Sequence, residues 1–253
     1  MPCGTIRAVF SVEDRERVHD RMLEIAASDR RVVSGAVLGS LAFGTGDRWS
    51  DLDLMFAVAD DMPVAGVLAD WTTRVVDEFD AVHLFDLPVA TTIYRVFVLP
   101  GCLQFDLSFA PASQFGAAGP KFRLLFGSAI EKPYTPNPTP HDLFGLAVHH
   151  LLRARFCIER ARYWQAEYWI SGARDYALAL ACLRRGLSAH QGRGIDDLPA
   201  DVLDGLSGAL VRSLERDELV LALSSTIEAL IRESSDIPEL ALRVEPQLRE
   251  LAA

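Results

Sequence analysis

Asp51 and Asp53 stand one residue apart in the stretch VLGSLAFGTGDRWSDLDLMFAV, residues 37–58, where an apolar run resumes after a glycine-rich loop. Side chains alternate across a strand with period two, so carboxylates at i and i+2 share one face. Leu52, Leu54 and Phe56 then turn the other way, into the core. Two carboxylates side by side in apolar surroundings repel one another and are costly to desolvate, and a hard divalent cation such as Mg²⁺ offsets both costs. Mg²⁺ takes one or two protein carboxylates and completes its shell with phosphate oxygens and water. The chemistry expected of the pair is therefore the handling of a nucleoside triphosphate.

Ahead of the aspartates, Gly39 and Ser40 close the preceding apolar run. Glycine lets the backbone approach a phosphate tail closely, and serine adds a hydroxyl donor. A third acid, Asp106, sits in CLQFDLSFAP between Phe105 and Leu107. If its strand lies beside that of Asp51 and Asp53, three carboxylates converge, a set able to ligate two metals for in-line phosphoryl or nucleotidyl displacement. Alone, DLD reads more often as a solvated strand end. The specificity lies in the ordered set: strand, Gly-Ser, a loop over 41–50, Asp-x-Asp opening a strand, and a further Asp on a later strand.

That set, in LGSLAFGTGDRWSDLDL and LQFDLSF, resembles the signature of the polymerase-beta-like nucleotidyltransferase superfamily. A minimal catalytic domain followed by a helical bundle is similar, within that group, to the enzymes that adenylylate aminoglycosides or lincosamides. The resemblance implies that Ser40 and the Gly39 backbone bind the β- and γ-phosphates and that Asp51 and Asp53 ligate Mg²⁺. It implies that Asp106 either completes the metal site or accepts the proton of the attacking hydroxyl. It also implies ATP as co-substrate, AMP as the transferred group, pyrophosphate as leaving group and a small-molecule hydroxyl as acceptor, and it admits a homodimer.

In such enzymes the base can instead be a glutamate of the helical half, a role open here to Glu167, which lies among Trp164, Tyr168 and Trp169 with Arg174 and Asp175 beyond. Those aromatics either stack a sugar or base, or pack as bundle core. Arg48, Lys121 and Arg123 are candidates for phosphate contacts. His149 and His150 invite a metal reading, but adjacent helical residues point about 100° apart and cannot readily share an ion. Two other readings keep the fold: nucleotidyl transfer to a protein or RNA acceptor, and an inactive nucleotide-binding module. Retention of Ser40 and of three mutually repelling aspartates counts against the second.

The elements that must position these residues are legible in the pattern. Ser11 and Asp14 form a capping box, and Val18, Met22, Ile25 and Ala26 follow at helical spacing, which predicts a helix over about 12–28. RVVSGAVLG and residues 51–58 read as strands. PVAGVLADWTTRVVDEFD reads as a helix, with Pro63 in its first turn. Extended segments are expected at about 81–87, 92–99 and 103–109. The proline-rich EKPYTPNPTPHD, with Pro133, Pro136, Pro138 and Pro140, then marks a boundary between a catalytic domain over 1–135 and a helical bundle over 136–253. The expected fold is α+β, a mixed sheet with flanking helices, followed by an all-α bundle. Five amphipathic helices are expected: within 141–164, 173–187, 201–214, 217–234 and 238–252.

Composition excludes several classes. Half of the 253 residues are apolar and 24% are charged, an ordinary globular balance. A formal net charge of −10 argues against nucleic acid held by phosphate neutralisation. No apolar run reaches the roughly 18 residues of a membrane span, and the N-terminal stretch carries charges where a signal core would be apolar, so the chain reads as cytoplasmic without a membrane partner. Cys3, Cys102, Cys157 and Cys182 are too dispersed for a zinc site and read as free thiols, three of them in apolar surroundings.

Overall fold

The computed structural model describes residues 9–134 and 137–252; Cys3, and Thr135 and Pro136 at the expected boundary, lie outside the described residues. The chain forms two compact units, Met1–Thr135 and Pro136–Ala253. The first is α+β and the second is helical, with seven α-helices and six strands in all among the described residues.

In the first unit, Ser11 caps helix α1 (Val12–Ser28) through a reciprocal pair: the Ser11 Oγ accepts from the Asp14 backbone N–H at 3.1 Å, and Asp14 accepts from the Ser11 N–H at 3.0 Å. Strand β1 (Val32–Leu38) leads through a 3₁₀ turn (Gly39–Phe43) and a loop into β2 (Leu52–Val58). Helix α2 (Val64–Phe79) follows, with Pro63 at its N-cap rather than in its first turn. Then come β3 (Val82–Val89), β4 (Thr92–Leu99), β5 (Leu103–Pro111) and β6 (Phe122–Phe126). The sheet runs β3-β4-β5-β2-β1-β6, and β2 lies parallel to β5 while the other pairings are antiparallel. Strand β6 was not expected; five residues at a sheet edge give too short a pattern to read.

The alternation in β2 and β5 sorts their side chains. Leu52, Leu54 and Phe56 of β2, with Phe105, Leu107 and Phe109 of β5, are buried against Val18, Met22 and Ile25 of α1 and Val67, Leu68 and Trp71 of α2. The Trp71 ring lies 4.9 Å from Phe56 and 5.1 Å from Phe109, and its indole N–H donates to Asp29 at 2.9 Å. The opposite face carries a small cluster of Ala36, Met55, Ala57, Ala110 and Phe115.

The helical unit comprises α3 (Pro140–Glu159), α4 (Tyr163–Arg184), α5 (Ala200–Leu206), α6 (Arg216–Arg232) and α7 (Pro238–Ala252). Its second helix starts about ten residues earlier than expected. The break falls at Ala161, in a left-handed conformation with φ 52°, while Gly172, which reads as punctuation, lies inside the helix. Alanines fill the α3–α4 contact, Ala147 and Ala154 against Ala166, Ala173 and Ala177, all fully buried. Trp164 and Tyr168 are exposed, so they are not bundle core. Cys157 and Cys182 are buried thiols, but Cys102 is exposed in the β4–β5 turn, against the apolar setting expected for it. No described helix is long and apolar enough to cross a membrane.

Candidate active site

The parallel pairing of β2 with β5 brings the acids together. Asp53 stands opposite Asp106 in the register, and Asp51 directly precedes β2 rather than lying within it. Oxygen atoms of Asp51, Asp53 and Asp106 all lie within 4.8 Å of one another, and each residue is half-buried. Among the described residues this is the grouping of acid, histidine and cysteine side chains that could hold a metal ion. It forms because Leu52 and Leu54 on β2, and Phe105 and Leu107 on β5, take the opposite face and are locked in the core.

Electrostatics bear on what the cluster can hold. Burial pushes the Asp106 carboxyl above its ordinary range and the charge of Asp51 adds to that, while a hydrogen bond from Gln104 Nε2 to Asp106 Oδ1 at 3.0 Å pulls the other way. A carboxyl raised by burial, with a second carboxylate beside it, is one whose ionised form a divalent cation would stabilise. The donor set, three hard oxygens carried by two paired strands and the residue that leads into one of them, fits Mg²⁺.

Gly39 lies against this cluster. Its φ is +67°, in the left-handed region, and a Cβ built there would run into Asp53 Oδ2. The Ser40 hydroxyl donates to Ser50 Oγ at 3.0 Å, tying the Gly-Ser turn to the residue before Asp51. Ser50 Oγ also donates to Asp47 Oδ1 and accepts from the Asp47 N–H, and Asp47 Oδ1 accepts from the Trp49 N–H at 2.8 Å, an Asx turn. Thr45 donates through both its N–H and its hydroxyl to the Ser40 carbonyl.

Two positioning residues escape the motif. Arg15 of α1, 6% exposed, donates from Nη1 to the carbonyls of Asp47 at 2.8 Å and Ser50 at 2.7 Å, holding the loop that carries Asp51. Its signal was present: Arg15 occupies an apolar-stripe position, three residues before Val18 and seven before Met22. Arg123 of β6, a candidate for phosphate contact, donates from Nε to the Ala42 carbonyl at 3.1 Å and so braces the 3₁₀ turn.

The structure thus brings Gly39, Ser40, Asp51, Asp53 and Asp106 together. Arg48 lies in the same loop, exposed, with its guanidinium 4.1 Å over the Trp49 ring. Lys121 is exposed, directly before β6. Glu167 belongs to α4 of the helical unit, half-buried, and accepts from Ser171 Oγ at 2.7 Å.

No protein-family model matches the chain, and no curated protein matches it. Among solved structures, an aminoglycoside 6-adenyltransferase from Bacillus subtilis is similar, with a TM-score of 0.40 and 11% identity over 94% of this chain and 98% of that one. A likeness this distant assigns neither a family nor an activity to the chain.

Proposed function

We propose that the protein is a nucleotidyltransferase that moves a nucleoside monophosphate, AMP from ATP, to a hydroxyl of a small molecule with release of pyrophosphate. The observation that carries the reading is the convergence of Asp51, Asp53 and Asp106 within 4.8 Å, next to a left-handed Gly39 whose missing Cβ leaves room for Asp53. The resemblance of LGSLAFGTGDRWSDLDL and LQFDLSF to the superfamily signature supports it.

Asp51, Asp53 and Asp106 would hold Mg²⁺, which when bound supplies Lewis-acid polarisation of the α-phosphate and neutralises developing charge. The Gly39 backbone and Ser40 would bind the terminal phosphates, with Arg48 and Lys121 as candidates for further contacts. Arg15 and Arg123 fix the loop and the turn on which those groups ride, so that little reorganisation is needed when the triphosphate arrives. The group passes directly from triphosphate to acceptor.

The test is mass spectrometry of aminoglycosides and lincosamides incubated with the protein, Mg²⁺ and each of the four nucleoside triphosphates. The reading expects a panel member to gain the mass of one nucleoside monophosphate. Triphosphate hydrolysed with no acceptor modified would contradict the small-molecule part of it.

A further inference from the structure

Trp49 stands two residues before Asp51, on the loop between β1 and β2, and it is 63% exposed. An indole is costly to leave in water, and a loop that only joins two strands has no need of one. Nor does the ring ride on a loose segment. The Trp49 N–H donates to Asp47 Oδ1 at 2.8 Å and the Ser50 N–H to the Asp47 carbonyl at 3.3 Å, while the buried Arg15 holds the carbonyls of Asp47 and Ser50. Residues 47–50 thus form a turn fixed at both ends that presents an aromatic ring to solvent.

One face of that ring is taken. The Arg48 guanidinium lies over it, 4.1 Å from the centroid, and what stays open is the opposite face and the edge. A ring backed by a cation selects among ligands. An amine-bearing molecule would meet the charge of Arg48 and be repelled, and a saturated sugar has no flat π-surface to stack. A nucleobase has that surface, and the triphosphate joined to it is drawn to the same cation.

Position agrees with this chemistry. Two residues of chain span at most about 7 Å, so Trp49 stays close to Asp51, and the intervening Ser50 accepts from the Ser40 hydroxyl at 3.0 Å. The ring therefore shares one short loop with the groups read as holding the metal and the terminal phosphates. A base joined to the α-phosphate through one ribose is within its reach.

We propose that Trp49 is the nucleobase platform of the nucleotide site, and that the base of the incoming triphosphate stacks on the indole face that Arg48 leaves open. The inference rests on the nucleotidyl-transfer reading and adds to it how the base is held. Stacking grows with ring area and ignores the hydrogen-bonding edge of the base, so Trp49 favours purines over pyrimidines and does not itself separate adenine from guanine.

The test is calorimetric titration of the full-length protein, with Mg²⁺ and no acceptor, using the α,β-methylene analogues of ATP, GTP, CTP and UTP, whose α,β bridge cannot be broken by transfer. Inorganic tripolyphosphate, which has no base, is titrated beside them. Trp49→Ala is expected to weaken the ATP and GTP analogues about tenfold, the CTP and UTP analogues less, and tripolyphosphate not at all. Trp49→Phe, which keeps a ring, is expected to recover most of that loss. Tryptophan fluorescence gives a second readout: the ATP analogue is expected to quench the unaltered protein at saturation and Trp49→Phe far less. Analogue affinities untouched by Trp49→Ala, or an equal loss for analogues and tripolyphosphate, as a mere prop of the loop would give, would overturn the proposal. Binding of neither the analogues nor tripolyphosphate to the unaltered protein would remove the nucleotidyl reading, and this proposal with it.

Discussion

Gly39 carries two constraints at once, a left-handed backbone and the approach of Asp53 to the place of its missing Cβ. Gly39→Ala should cost about 1–2 kcal/mol from the backbone alone, read as a shift in a urea unfolding midpoint, and should displace Asp53 and depress transfer. Asp29 is the second telling residue. Its carboxylate, 9% exposed, is held by Arg31 at 2.8 Å and by the Trp71 indole at 2.9 Å, and these hydrogen bonds hold its pKa well below the ordinary carboxylate range. The unfolded chain therefore takes up this proton more readily than the folded one. The stabilisation is complete above about pH 5 and is lost as the pH falls through the ordinary carboxylate pKa and below. Asp29→Asn should lower stability by roughly 1–3 kcal/mol at neutral pH, and the gap to the unaltered protein should close as unfolding is repeated at progressively lower pH. At this scale the sequence exposed the triad and the Gly-Ser pair because their types and order are themselves the signal. It could not show the Arg123 hydrogen bond to Ala42, since the partner of a lone arginine depends on which strand its own segment joins.

Among the elements, the loop between β1 and β2 depends on α1. Arg15→Met keeps the helix and its packed stem but leaves the carbonyls of Asp47 and Ser50 without that donor. The expected outcome is a loss of about 1–3 kcal/mol in stability with a larger proportional fall in transfer than in the affinity for nucleotide, measured by kcat against KM. Element types were legible for α1, α2 and the five strands β1 to β5, each of which falls where its residue pattern placed it. The start of α4 was not, because its break is a left-handed alanine at 161 and its internal Gly172 looks like a stop. Glycine inside a helix costs about 1 kcal/mol and is kept where space is needed, and here that space faces His150.

At the scale of the whole molecule, each unit has its own core, and the helical one is pinned by a buried ion cluster. Glu233, with its side chain 3% exposed, accepts from Arg184 at 2.9 Å and Arg185 at 2.8 Å. Glu233→Ala leaves two cations without their partner and should destabilise the helical unit by about 3–5 kcal/mol, seen in calorimetry as one transition moving down while that of the α+β unit stays. The α+β class and the helical second half were readable from the disappearance of strand patterns after the proline-rich segment. The order of the sheet was not, because it is the parallel pairing of β2 with β5, distant in sequence, that joins Asp53 to Asp106.

The central claim is that these three carboxylates carry a metal-dependent nucleotidyl transfer. Its most direct measurement is pyrophosphate release from ATP with an acceptor present, followed as Mg²⁺ is titrated, in the unaltered protein and in Asp53→Asn. Mg²⁺-dependent release that falls by roughly a hundredfold to ten-thousandfold in Asp53→Asn, with an unchanged circular dichroism spectrum, is the predicted result. Release that ignores Mg²⁺, or that Asp53→Asn sustains at the unaltered rate, would contradict it.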